Sequence, residues 1–224
     1  MLTMSDADHS LVTAAVAKAE LASDGEIVTI VAPRSDAYHD VALHYAVLAM
    51  LLVPTLGALV PRSWIDWATG LVFGWNAGLS FRLLMVLLLV KMAVVFLIVR
   101  FALAWMKLRI ALTPDGTRTR RVRRRAVELF KVGADRRTVG RTGVLLYLSL
   151  LEHRAEIVAD EAIHSRVTPD VWGEAMAVLV EQVKQGRPGQ GMALAVEKIG
   201  IVLAECLPPS GVNPNELPDR LIEL

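Results

Sequence analysis

Two long apolar stretches in the middle of the chain, residues 41–60 and 83–106, dominate its hydrophobic pattern. The second contains a run, 83–99, with sixteen apolar residues and a single charge, Lys91. At about −0.4 kcal/mol for each apolar residue and about +3 kcal/mol for a central lysine, insertion of this run into a bilayer is favourable. The first stretch carries no formal charge, and its 20 residues match a bilayer crossing at about 1.5 Å rise per residue. The pattern predicts a two-helix transmembrane hairpin.

The segment between the two stretches, residues 61–82, contains Trp64, Trp67 and Trp75. Tryptophan favours the membrane–water interface. The segment carries two basic residues, whereas eight follow the second stretch between positions 107 and 125. Because basic residues concentrate on the cytoplasmic side, both termini are predicted to be cytoplasmic and the segment external. The alternative, a buried core hairpin of a soluble protein, would need a much larger body around two such runs.

Both flanks of the hairpin have the pattern of a soluble domain. Residues 6–22 space their apolar positions as a helix does, and EIVTIVA at 26–32 has the β-branched composition of a buried strand. After the hairpin come a basic amphipathic helix and two further apolar strands, 144–151 and 154–160. The tight turn between these strands predicts an antiparallel pair.

Two more helices are predicted near the C-terminus, one from an N-cap at Thr168 to about Lys184 and one over 190–206. This order predicts an α/β fold with a small mixed β-sheet flanked by helices, interrupted by the membrane hairpin. The predicted parts are residues 1–40 and 107–207 for the domain, 41–106 for the hairpin and 208–224 for a mobile, Pro-rich tail.

Composition narrows the classes of function. With 54% hydrophobic residues, the chain is too apolar for an ordinary soluble domain. Its net charge of +1 does not indicate that the chain as a whole binds a polyelectrolyte. The single cysteine, Cys206, excludes an internal disulfide and a cysteine zinc cluster, and the five histidines show no metal-ligand spacing.

The basic helix after the hairpin carries a cluster of arginines. A contact with anionic lipid headgroups is favoured, because each basic residue near a charged membrane surface contributes about 1 kcal/mol. Nucleic-acid binding is the runner-up, but no aromatic residues are interleaved for stacking on bases. A merely solvated helix face is a third interpretation, and it is compatible with the first. The cluster consists of Arg118, Arg120, Arg121, Arg123, Arg124 and Arg125.

Lys91 is the one charge inside the second apolar stretch. An ionisable group at mid-bilayer suggests a polar partner or a conduction path. No acidic residue accompanies it within the stretches, so snorkelling or a hydrogen bond to the other helix is favoured.

If the first two strands run parallel, polar residues gather at two ends of the sheet. At one end, the carboxylates of Asp24, Asp160 and Glu161 could together bind a hard cation, which needs several oxygen ligands. The alternative is a structural ion pair between Asp160 and Arg141. The two groups are Arg34, Asp36, Glu152 and His153 at one end, and Asp24, Glu26, Arg141 and Asp160 at the other.

Several segments resemble the TPM domain, known from thylakoid-lumen proteins linked to photosystem II repair and from many bacterial membrane proteins. The resemblance covers most of residues 5–36 and 118–208, through DGEIVTIV, AVELF, RTGVLLYLSLLEHRAEIVADEAI and KQGRPGQGMALAVEKIGIVLAECLP. It is strongest to bacterial members with two membrane helices inserted after the first strand. Its most specific matches are Gly25-Glu26, Arg141-Thr142-Gly143 and the turn Glu152–Arg154. The resemblance implies an α/β/α fold and a multi-pass protein of the bacterial inner membrane.

For some members the resemblance also implies an acid phosphatase that uses a divalent metal, here Ca²⁺ or Mg²⁺. Many members carry a glycine-rich acidic loop after the third strand, whereas this chain reads ADEAI at 159–163, without glycine. We therefore expect a membrane-anchored binding or regulatory module that contacts a protein partner or anionic lipid at the cytoplasmic face, and no nucleic acid. The alternative is a metal-dependent phosphatase of the TPM type.

Overall fold

The computed structural model describes residues 4–75, 80–133, 142–167, 171–210 and 217–224. The chain divides into two compact units, one made of Met1–Asp36 with Pro114–Leu224 and the other of Ala37–Thr113. The first unit is discontinuous, because the chain leaves it after one strand and returns for the rest. The predicted N-cap Thr168 and the side chain of Arg141 lie outside the described residues.

A small mixed sheet forms the centre of the first unit. Its described strands are β1 (Glu26–Ala32), β2 (Gly143–Ser149), β3 (Arg154–Ala159) and β4 (Ile222–Glu223), in the order β3-β2-β1-β4. β1 runs parallel to β2 and β4, and β3 runs antiparallel to β2. All seven residues of β1 and of β2 are buried, as expected of strands covered on both faces. The predicted mixed sheet and antiparallel pair are confirmed.

Helices cover both faces of this sheet. They are α1 (Asp6–Glu20), α6 (Asp115–Gly133), α7 (Glu161–His164), α8 (Trp172–Lys184) and α9 (Pro188–Cys206). On one face, α1, α8 and α9 share an apolar core with side chains such as Ile27 and Leu146. On the other, α6 packs through Val122, Ala126 and Phe130 against Leu145.

Small residues let these layers approach closely. A Cβ on Gly200 would lie 2.7 Å from the Cβ of Ala19, so α1 and α9 meet at backbone distance. A Cβ on Gly25 would lie 3.0 Å from Leu203 Cδ1, which places the start of β1 against α9. α1 begins at a capping box in which Ser5 and Asp8 satisfy each other's backbone N–H groups.

The C-terminal residues differ from the mobile tail that the proline content suggested. Leu217 and Leu221 are buried, and Ile222–Glu223 adds β4 to the edge of β1. The backbone N–H of Leu224 donates to Val31 at 3.1 Å. The physical reason is that β1 would otherwise present an unpaired edge. Leu221 and Leu217 in addition gain burial in the apolar cores on the two faces of the sheet. Composition alone does not reveal such a docking site.

The second unit consists of α2 (His39–Leu59), α3 (Arg62–Phe73), α4 (Phe81–Ala102) and α5 (Met106–Ala111). α2 and α4 are each long and apolar enough to cross a membrane, and they pack against each other. Arg109 of α5 is buried and donates to the carbonyl oxygens of Leu103 at 2.8 Å and Ala37 at 2.5 Å. This arginine therefore joins the residues before α2 to those after α4.

Candidate functional site

The arginine cluster lies on α6, whose sequence alternates between two faces. Val122, Ala126 and Phe130 recur at helical spacing and are buried in the sheet's core. The arginines occupy the remaining arc, where Arg120, Arg123, Arg124 and Arg125 are exposed. Arg118 and Arg121 are half-buried. The predicted basic amphipathic helix is confirmed.

Acidic residues after β1, on β3 and on α6 itself partly neutralise this arc. Asp36, just after β1, contacts Arg121 at 3.1 Å and Arg124 at 3.4 Å. Glu128 contacts Arg124 and Arg125, each at 3.7 Å.

Two further arginines pair with carboxylates on β3 and at the start of α6. Glu156 contacts Arg123 at 3.7 Å, and Asp115 contacts Arg118 at 2.7 Å. Arg120 contacts no acidic side chain among the described residues and reaches only the hydroxyl of Thr117, at 3.4 Å. Six arginines thus face four carboxylates, and the arc keeps an excess of positive charge.

Two of these carboxylates, Asp115 and Glu156, have pKa values that are shifted in opposite directions. A hydrogen bond and charge attraction from Arg154, at 2.5 Å, hold the pKa of Asp115 below its ordinary value. Burial raises the pKa of Glu156, and the nearby Arg123 opposes that effect.

A second polar group occupies the carboxyl ends of the parallel strands. Glu152 is buried, and its Oε1 accepts a hydrogen bond from the backbone N–H of Ser35 at 2.8 Å. Its Oε2 accepts one from the Ser149 hydroxyl at 2.5 Å. The Ser35 hydroxyl meets that of Tyr147 at 3.0 Å, and burial raises the pKa of Tyr147. This network fastens the loop that ends in Asp36 and so positions the acid that holds Arg121.

Sequence reasoning placed Asp36 and Glu152 at this end of the sheet, and the register of β1 with β2 agrees, because Ala32 lies opposite Ser149. It missed Ser35, Tyr147 and Ser149. A signal was present, since hydroxyl groups recur where two apolar strands end.

The opposite end of the sheet holds the residues considered for a cation. The Asp160 side chain accepts from the backbone N–H of Gly143 at 3.0 Å, and the Asp24 carboxylate accepts from that of Ser210 at 3.0 Å. Glu161 begins α7. Within the described residues, no group of three or more His, Cys, Asp or Glu side chains could hold a metal ion. Asp24 and Asp160 thus bind backbone N–H groups at this end of the sheet. The alternative, an ion pair of Asp160 with Arg141, lies outside the described residues.

Lys91 lies on α4 with its side chain exposed. It makes no hydrogen bond or ion pair with the residues that the structure describes. The predicted hydrogen bond to the other apolar helix is therefore absent from this part of the chain. Snorkelling of Lys91 towards the membrane surface stays a prediction.

Comparison with known proteins identifies no family. No family model and no curated protein matches the chain. A solved structure, the NMR structure of the BA42 protein from the psychrophilic bacterium Bizionia argentinensis sp. nov., is similar in fold, with a TM-score of 0.56 at 16% sequence identity. The match covers 99% of this chain and 95% of the other. At this identity the likeness concerns the fold alone.

Proposed function

We propose that this protein is a membrane-anchored module whose α2 and α4 cross a bilayer as a hairpin. The observation that carries the proposal is the exposure of these helices. Of the most apolar window, 17% is buried in α2 and none in α4. A core helix of a soluble protein would be largely covered by its own chain, whereas these two helices leave an apolar surface that lipid can cover.

The charge distribution supports a bacterial inner-membrane location with both termini in the cytoplasm. Arg62 and Arg82 are the basic residues of the segment between the helices, whereas α5 and α6 are rich in arginine and lysine. Two crossings return the chain to the side on which it started. The segments Met1–Asp36 and Pro114–Leu224, which fold as one unit, then share one compartment. Membership of the TPM domain family is part of this proposal, and it rests on the sequence resemblance.

At the cytoplasmic face, the arginine arc of α6 binds anionic lipid headgroups. Arg120 supplies most of the attraction, since it is exposed and has no acidic neighbour among the described residues. Arg124 is also exposed, but Asp36 and Glu128 partly neutralise it. The excess of arginine over carboxylate near a charged surface gives a binding term that weakens with salt. A protein partner on the rest of the domain is compatible with this arrangement.

Topology is tested by reporter fusions. A reporter active only outside the cytoplasm is inserted in residues 61–82, and one active only inside is fused after Leu224. We expect both reporters to be active. If the reporter in residues 61–82 and the reporter after Leu224 were both inactive, the orientation would be the opposite one.

Lipid contact is tested by reconstituting the full chain with a photoactivatable anionic phospholipid and locating the cross-links by mass spectrometry. We expect cross-links on α6 that fall several-fold when Arg120→Ser and Arg124→Ser are combined. Lys184→Ser, an exposed basic residue on α8, is the matched control and should change nothing. Equal cross-linking in parent and double variant would refute the lipid contact and leave the anchoring untouched.

The phosphatase alternative has a direct assay: phosphate release from a generic aryl phosphate with and without Ca²⁺ or Mg²⁺. We expect no metal-dependent release, since the described carboxylates near Asp160 form no cation-binding group. Release that disappears in Asp160→Asn would favour the enzyme.

A further inference from the structure

The segment between the two apolar helices forms a helix of its own, α3, with two chemically distinct sides. At 100° per residue, Trp64, Trp67 and Leu71 fall on one side, and Arg62, Asp66 and Thr69 fall on the other. The apolar side is open, with exposed fractions of 68% for Trp64, 55% for Trp67 and 60% for Leu71. A water-exposed face of this kind would be unfavourable.

We propose that α3 lies in the plane of the membrane surface, with its tryptophan side buried among the lipid headgroups and upper acyl chains of the external leaflet. The inference rests on the proposed function, because that places α2 and α4 in the bilayer. α2 ends at Leu59 and α3 begins at Arg62, so α3 follows directly after an exposed apolar helix of the same unit. Helices with one tryptophan-rich side and one polar side bind bilayers in this orientation.

The details of α3 agree with a surface rather than a spanning position. Its twelve residues are too few to cross a hydrocarbon core, which needs about 20. Its polar side bears hydrogen bonds of the Thr69 hydroxyl to the carbonyl oxygens of Ile65 and Asp66. Gly70 is buried beneath the Trp75 ring, and a Cβ on this glycine would lie 2.9 Å from the ring atom Cε3. This packing closes the C-terminal end of α3 and leaves its apolar side open.

The charges of α3 specify what kind of membrane surface it takes. Arg62 and Asp66 contact each other at 3.9 Å and are the helix's charged residues, so its formal charge is zero. Binding therefore comes from apolar area and tryptophan, and it does not depend on anionic lipid. α6 differs in this respect, because its attraction is electrostatic. The two helices thus use opposite means on opposite sides of the bilayer.

Nitroxide scanning of the full chain in proteoliposomes tests this orientation, starting from Cys206→Ser. Trp64→Cys, Trp67→Cys and Leu71→Cys report the apolar side, and Asp66→Cys and Thr69→Cys report the polar side. Leu89→Cys on α4 and Lys184→Cys on α8 are the lipid and water references. We expect the apolar positions to be more accessible to oxygen than to a water-soluble nickel chelate, and the polar positions to show the reverse, with and without anionic lipid.

Three results would overturn the inference. Water-like apolar positions with a lipid-like Leu89→Cys would mean that α3 leaves the surface while the hairpin stands. Apolar positions shielded from both reagents would mean that a second copy of the chain covers α3. A water-like Leu89→Cys would remove the proposed membrane hairpin, and the inference with it.

Discussion

Strand β1 and helix α4 are both almost wholly apolar, yet they differ in what covers them. β1 is buried over all seven of its residues, with α1 and α9 on one face of the sheet and α6 on the other. α4 has 22 residues, none of them buried. The same side-chain chemistry therefore has two meanings in one chain. An apolar pattern predicts that a surface is covered, and the structure shows whether the protein itself covers it.

The comparison predicts opposite responses to the same truncation. Leu146→Ala in β2, at a fully buried position, should lower the free energy of unfolding by about 2–5 kcal/mol. Leu89→Ala on α4, 64% exposed, should cost less than about 1 kcal/mol, because lipid or detergent chains are as apolar as leucine. Urea denaturation in micelles, followed by circular dichroism, measures both. Equal losses would mean that α4 packs against protein.

The polar network of the covered unit should come next in size. Glu152→Ala leaves the part-buried N–H of Ser35 and the buried hydroxyl of Ser149 without their acceptor. This should cost about 1–3 kcal/mol of unfolding free energy. Glu152→Gln keeps an acceptor oxygen and should lose less, so it separates the hydrogen bonds from the packing. Equal losses in the two variants would contradict the role given to these bonds.

Glu20 adds a pH dependence to the covered unit. Burial raises the pKa of its carboxyl to about 8, and the charges of Glu26 and Asp219 act in the same direction, while a hydrogen bond from the Ile27 N–H opposes them. Since the folded pKa lies above the ordinary 4.5, stability from this group is present below that value and is lost as the pH rises towards 8.

The variant Glu20→Gln keeps the acceptor for Ile27 and removes the charge. Its melting temperature should match that of the parent near pH 4.5 and exceed it progressively up to pH 8. Melting curves across this range provide the measurement. A constant difference at all pH values would mean that the carboxyl does not titrate in this window.

The smallest effect is expected at the partly exposed ion pairs of α6. Asp36→Asn weakens a half-buried contact to Arg121 and an exposed one to Arg124, and ion pairs near the surface contribute about 1 kcal/mol. In the lipid cross-linking assay the same variant should bind more, because it releases two arginines. Weaker cross-linking would show that Asp36 orders the arginines for lipid rather than competing with it.

The sequence predicted β1, β2 and β3, the antiparallel pairing of β2 with β3 and the two apolar helices, because each depends on local pattern. The pairing of Glu152 with Ser35 spans 117 positions, and no local pattern encodes it. The docking of Leu217 and Leu221 onto β1 was missed because neighbouring prolines suggested a free tail. Asp36 was assigned to the correct end of the sheet, but its neighbours on α6 depend on how that helix packs.

Flotation of membranes is the most direct test of the central claim that lipid covers α2 and α4. Cells producing the full chain are broken, the membranes are washed with alkaline carbonate, and the material is centrifuged through a density gradient. The account predicts that the chain floats with the lipid, as an inserted hairpin must. Recovery in the carbonate supernatant, or in the dense fractions, would contradict it.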